Sequence, residues 1–230
     1  MKQLIAFIFA LLLPASMVAQ TPHYQSHFPP EEFQARWQKL FAQIGDRAVA
    51  IVQGVPLARG FAFPRQSNEF YYLSGIETPG AYLLLDGRTR KATLYLPPRN
   101  ERLERSEGKV LSAEDADLVK RLTGVDAVAS SKAMGEEWLG ELMKAPTPTI
   151  YTMFTPAEGS AENRYELQNA NAAIAADYWD GRLSREANFI SLLRTRAPRA
   201  EVRDLTPILD ELRSVKSPRE IALIRRASQL

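Results

Sequence analysis

Residues 65–86 read RQSNEFYYLSGIETPGAYLLLD, and the order of residue types here points to the class of fold. Polar residues Arg65 to Glu69 lead into Phe70, Tyr71 and Leu73, which can anchor a short helix on a core. Gly75 permits the positive φ needed where that helix turns into extended chain. Residues 81–85 are an unbroken apolar run with strand character. Asp86-Gly87 is a hairpin signal, and a second strand-like run, residues 91–96, is closed by Pro97-Pro98. By itself the stretch reads as a core-anchoring loop, with a functional face as the rival reading.

Upstream, Pro29-Pro30-Glu31-Glu32 opens a helix in which Phe33, Trp37, Leu40, Phe41 and Ile44 recur at helical spacing until Gly45 ends it. Residues 48–52 form a short buried strand, and 53–66 a loop carrying Gly54, Pro56, Gly60 and Pro64. Downstream the pattern alternates. Helices are expected at 113–122, 134–144, 168–179, 184–194 and 207–213, strands at 125–129, 149–154 and 202–204, and a loop at 155–165. Strands and helices in this order indicate an α/β fold, a mixed β-sheet flanked by helices.

Composition narrows the function. With 45% hydrophobic and 24% charged residues over 230 positions, the chain can fill one good core or two small ones. A net charge of +2 argues against both a nucleic-acid binder and an acidic scaffold. The absence of cysteine excludes disulfides, thiolate nucleophiles and zinc–thiolate sites. At the N-terminus, Lys2 precedes an apolar run over 4–13, then Pro14, Ala15 and Ser16, the pattern of a secretory signal cleaved near Ala19. The run is shorter than the ~20 residues a membrane span needs. Export to a bacterial periplasm or the cell exterior is the expectation, with no membrane span after signal removal; an uncleaved, buried N-terminal segment is the alternative.

Familiar catalytic motifs are missing. Gly54 and Gly60 lack the following Gly-Lys-Ser/Thr of a phosphate loop, and no Gly-x-Ser-x-Gly elbow occurs. His23 and His27 are four apart, but Pro22 and Pro29 oppose a helix there, so they read as a solvated leader. Glu114, Asp115 and Asp117 sit at a helix start, where carboxylates favour the macrodipole. Arg194, Arg196, Arg199 and Arg203 form a basic patch with few interleaved aromatics, so no nucleic-acid partner is expected.

The stretch 212–227, LRSVKSPREIALIRRA, contains a helix start: Ser217 as cap, Pro218 at the first position, Glu220 three residues after the cap. No stop signal follows before Leu230. This wording resembles the junction of the creatinase/prolidase/aminopeptidase P family, where an N-terminal domain meets a metallopeptidase domain. RQSNEFYYLSGIETPGAYLLLD, followed by TLYLPPRN at 93–100, is similar to the signature of the aminopeptidase P N-terminal domain, departing from it at Thr78 and an inserted Gly80. The resemblance spans roughly 33–230.

Several expectations come with that resemblance. The sheet is of the creatinase/prolidase N-terminal-domain type. Residues 1–19 are a signal, 20–28 a leader, 29–214 the N-terminal domain, and 215–230 the linker and first helix of a metallopeptidase domain. The intact enzyme is an Xaa-Pro aminopeptidase using two Mn2+ ions, held by two Asp, two Glu and a His of the catalytic domain. This chain binds none of that metal and is inactive alone. The N-terminal domain assembles homo-oligomers and walls the substrate entrance for peptides with an Xaa-Pro N-terminus. Arg65, Asn68, Tyr71 and Tyr72 are the candidates for these contacts, and no residue here is catalytic. The wording FYYLSG favours aminopeptidase P over the alternatives, a prolidase, a creatinase-type hydrolase or a non-catalytic peptide-binding module.

Overall fold

The computed structural model describes residues 25–56, 65–135, 138–159 and 163–229. The expected signal sequence, His23 and part of the 53–66 loop lie outside the described residues. Helix α1 (Pro30–Ile44) starts at Pro30, whose missing N–H costs nothing there, and stops at Gly45 with φ 78°. Strand β1 (Ala48–Gln53) follows, then α2 (Asn68–Ser74), β2 (Tyr82–Asp86) and β3 (Lys91–Leu96). Next come α3 (Glu101–Glu107), α4 (Ala116–Thr123), β4 (Ala127–Ser130), α5 (Trp138–Leu142) and β5 (Thr149–Thr152). The described chain ends with α6 (Arg164–Ala176), α7 (Arg185–Arg196), β6 (Glu201–Asp204), α8 (Thr206–Ser214) and α9 (Pro218–Ala227).

The strands form one six-stranded sheet in the order β4-β3-β2-β1-β5-β6. β2 pairs antiparallel with β1 and β3, whereas the β1–β5, β5–β6 and β3–β4 pairs are parallel. The sheet is therefore mixed, as the sequence order implied. Both faces are covered. Ala48, Ala50 and Val52 of β1 face a layer containing Phe33, Trp37, Leu40, Phe70, Leu73 and Leu209. Val49 and Ile51 face the other way, onto Trp138, Leu142, Phe189 and Leu193. Two covered faces explain why β1 reads as continuous apolar sequence rather than alternating.

Some elements differ from the sequence reading. Helix α3 was not anticipated, because it is mostly charged and Leu103 is its one apolar residue. Asn100 caps it, its Oδ1 accepting from the Leu103 N–H at 3.1 Å. α6 starts at Arg164, four residues early, because Asn163 and Glu166 form a reciprocal capping box. α5 is shorter than expected, following a 3-10 turn at Ser131–Ala133. α9 ends at Ala227, although the sequence shows no stop signal there. Gly87 is not at positive φ; the residue that turns the hairpin is Arg90, at φ 54°. Gly87 is needed for space, since a Cβ there would lie 2.1 Å from the Gly45 carbonyl oxygen. Among the described residues no helix is long and apolar enough to cross a membrane.

Candidate functional site

Helix α2 positions the candidate face. Ser67 caps it, Oγ accepting from the Phe70 N–H at 3.4 Å, and Gly75 ends it at φ 64°. The helix presents Phe70 and Leu73 to the core, both fully buried. Its lead-in is pinned by Gln66, whose Oε1 accepts from the Val55 N–H at 2.8 Å while Nε2 donates to the Thr78 carbonyl at 2.6 Å. The Gln66 N–H donates to Glu77 Oε2 at 2.7 Å.

The polar tips divide into two groups. Glu69 is 0% exposed and fully engaged. Its Oε1 accepts from Arg164 Nη2 at 3.0 Å and Arg213 Nη1 at 2.8 Å, and its Oε2 from the Glu158 N–H at 2.9 Å. Arg164 also pairs with Asp210 at 2.6 Å, and Arg213 with Glu158 at 3.0 Å. This network locks α2 to α6, α8 and the loop after β5. A carboxylate that accepts three hydrogen bonds, two of them from guanidinium groups, is well satisfied despite its burial.

The second group faces outward. Asn68 is exposed, and Tyr71 and Tyr72 are half-buried. All three line a groove of about 230 Å³ together with Arg36, Lys216 and Glu220. Arg36, itself buried, lies 4.1 Å over the Tyr72 ring and 4.8 Å over that of Phe28. It pairs with Glu32 at 3.2 Å and approaches Glu220 at 3.6 Å. A guanidinium stacked on aromatic faces keeps a favourable environment despite its burial. The Tyr72 hydroxyl donates to the Leu212 carbonyl at 3.1 Å. Ser217 and Glu220 form the expected capping box, with Glu220 Oε2 accepting from the Ser217 N–H at 2.8 Å. The groove thus joins α1, α2 and the junction between α8 and α9.

Both groove tyrosines titrate above the ordinary phenol range. For Tyr71 burial is the main cause, with the Glu77 charge adding to it; for Tyr72 burial is again first, opposed by Arg36. They are neutral hydrogen-bonding groups at physiological pH, not bases. Arg65 is not part of the groove. It is exposed and pairs with Glu77 at 3.3 Å. His27 is exposed. Arg203 of the expected basic patch pairs with Glu201 at 2.6 Å. Asp115 belongs to a cap with Ser112, whose Oγ donates to it at 2.7 Å. Arg36 was missed by sequence reasoning, although its position three residues after Phe33 puts it beside the buried stripe of α1.

Comparison with known proteins places this geometry. The family model described as "Aminopeptidase P, N-terminal domain" matches residues 33–151. The chain belongs to that family. An Xaa-Pro aminopeptidase of Haemophilus influenzae is 27% identical over 215 residues, covering 90% of this chain and 42% of the relative. The aminopeptidase P of E. coli, solved with the inhibitor Pro-Leu, superposes with a TM-score of 0.59 at 24% identity, over 89% of this chain and 43% of that one. The same enzyme is similar in a Zn-substituted form with product. Proline aminopeptidase P II from Yersinia pestis gives a TM-score of 0.57 at 25% identity, over 88% and 43%. The chain therefore spans less than half the length of these relatives. Its mixed sheet flanked by helices is that of the aminopeptidase P N-terminal domain.

Proposed function

We propose that this chain is the N-terminal part of an exported Xaa-Pro aminopeptidase, a peptidase that removes the first residue from peptides with proline in second position. The observation that carries the reading is the match to an Xaa-Pro aminopeptidase along 90% of the chain. In this reading two metal ions, manganese by family resemblance, act in the portion of the relatives that this chain does not span. The residues at hand do not fit such a centre: among the described residues no group of three or more His, Cys, Asp or Glu could hold a metal ion. Export, to a periplasm or the cell exterior, is proposed from Lys2 and the apolar run over 4–13.

The domain's own task in this reading is to support homo-oligomer assembly and to shape the entrance for the peptide. The groove supports it. Among the described residues the Asn68 and Tyr71 side chains have no hydrogen bond that would consume their polar tips, while Tyr72 is tied back to Leu212. Asn68 and Tyr71 are therefore the cleaner probes. In the intact enzyme, Tyr71→Ala should lower kcat/KM on an Xaa-Pro tripeptide by about tenfold, a loss of ~1.4 kcal/mol, while the melting temperature moves little. Normal kinetics per folded molecule would leave α2 a purely structural anchor. The 230-residue chain alone should not turn over an Xaa-Pro peptide, with or without added manganese. Turnover by pure material would overturn the assignment of the chemistry to another part.

A further inference from the structure

A second depression, of about 340 Å³, lies away from the α2 groove. It is in the lower part of the range of small-molecule sites, roughly 300–1,000 Å³. Its position follows from the topology. From β1 the chain proceeds to β2 on one side, while β5 pairs with β1 on the other. β1 and β5 run parallel, so their carboxyl ends open on the same edge. This is a switch point in strand order, where an open α/β sheet leaves a crevice outside its strand ends. Gln53, the last residue of β1, and Thr152, the last of β5, both line the depression. Met153 and Leu167 supply apolar wall, and Arg185 and Glu186 of α7 supply charge.

The two charged residues are unusual. Among the described residues neither Arg185 nor Glu186 has a hydrogen-bond or ion-pair partner, whereas Arg36, Arg164 and Arg213 are all paired. Arg185 is also the first residue of α7, where a cation opposes the helix dipole. Burial works against its charge and lowers its pKa, with Tyr82 and Glu186 acting the other way. A half-buried guanidinium with no carboxylate in ion-pair contact among the described residues, in an adverse dipole, gains more than an exposed one from an incoming anion. Glu186 beside it disfavours a ligand that is purely anionic, and favours one that also carries an ammonium.

We propose that this crevice binds a small zwitterion, an amino acid or short peptide, with its carboxylate on Arg185, its ammonium near Glu186 and its side chain against Met153 and Leu167. The proposal stands on the crevice and not on the peptidase reading. It is tested by calorimetric titration of the full chain with glycyl-leucine, glycyl-leucine methyl ester and inorganic phosphate. Saturable binding of glycyl-leucine is expected, with the ester weaker by about ten- to hundredfold, as for loss of a charge-assisted pair. Arg185→Gln should weaken glycyl-leucine by a similar factor and abolish the preference over the ester. Since Arg185 holds no hydrogen-bond or ion-pair partner among the described residues, that variant should fold normally; if it does not, the ester comparison on the unaltered chain decides. Absence of saturable binding, equal binding of acid and ester, or phosphate binding as tightly as the dipeptide would each overturn the proposal.

Discussion

Replacing Glu69 by Gln tests whether the ionic network under α2 holds the domain together. The substitution keeps shape and removes charge. The carboxylate uses one oxygen for two arginines and the other for the Glu158 N–H. A glutamine must aim its NH2 at one of these donors, so at least one donor faces another donor. Loss of one member of a fully buried ion pair costs about 3–5 kcal/mol. Here the Arg164 and Arg213 side chains are 18% and 22% exposed, and each keeps a second carboxylate, Asp210 or Glu158. Partial solvation and the surviving partners reduce the expected cost to about 2–3 kcal/mol. For a chain of this size that lowers the melting temperature by roughly 5–10 °C. Thermal and urea unfolding followed by circular dichroism measure it. Asp210→Asn is the internal comparison: its side chain is 44% exposed, so its loss should cost under about 1 kcal/mol. A Glu69→Gln protein that melts within a degree of the parent would refute the reasoning, because the network would then contribute nothing beyond what water offers.

Asp115 sets part of the acid limb. Burial would raise its pKa, but hydrogen bonds from the Ser112 side chain and backbone, with Lys109 and Arg99, outweigh it and hold the group down to about 2. A depressed carboxylate contributes stability that is complete above its unfolded value of 3.8 and disappears as pH falls through the folded one. Asp115→Asn should therefore be less stable than the parent at neutral pH, with the gap closing from about pH 4 to about pH 2; parallel unfolding curves over that window would contradict this. Two glycines should behave oppositely. Gly87→Ala puts a Cβ 2.1 Å from the Gly45 oxygen and 3.0 Å from that of Ala48, both backbone, and should cost about 3 kcal/mol or more. Gly140→Ala, inside α5, meets nothing within 4 Å among the described residues and should stabilise by about 0.5–1 kcal/mol in the same denaturation assay.

Strongly periodic or punctuated elements were readable before folding. α1 carries its apolar stripe and stops at a glycine, and β1 is apolar on both faces because both are covered. The capping box of α9 was spelled out by Ser217 and Glu220. What escaped had no apolar signal. α3 is a charged helix held by an asparagine cap, and the start of α6 depends on Asn163 and Glu166, polar residues that also suit a loop. The partners of Glu69 escaped for another reason. Arg164 and Arg213 are far away in sequence, and long-range pairing leaves no local trace. Its burial did leave one: Glu69 and Leu73 are four apart, so they share a helix face.

That same periodicity divides the polar residues of 65–80 between two faces. A helix cannot give all its polar residues to one role when only part of its circumference meets the core. Ser67, Glu69 and Ser74 are buried and bonded inside, and Gln66 and Thr78 pin the flanking chain. These residues are the core anchor. Asn68, Tyr71 and Tyr72 lie on the remaining arc, over Arg36 and the α8–α9 junction. Tyr72 is shared between the roles, its ring under a buried guanidinium and its hydroxyl on Leu212. Any contact with a neighbouring domain or subunit through α2 must therefore use Asn68 and Tyr71 first. Movement of the α8–α9 junction would reach that contact through Tyr72. The anchor and the outward face are consequences of one helix being seven residues long and half buried.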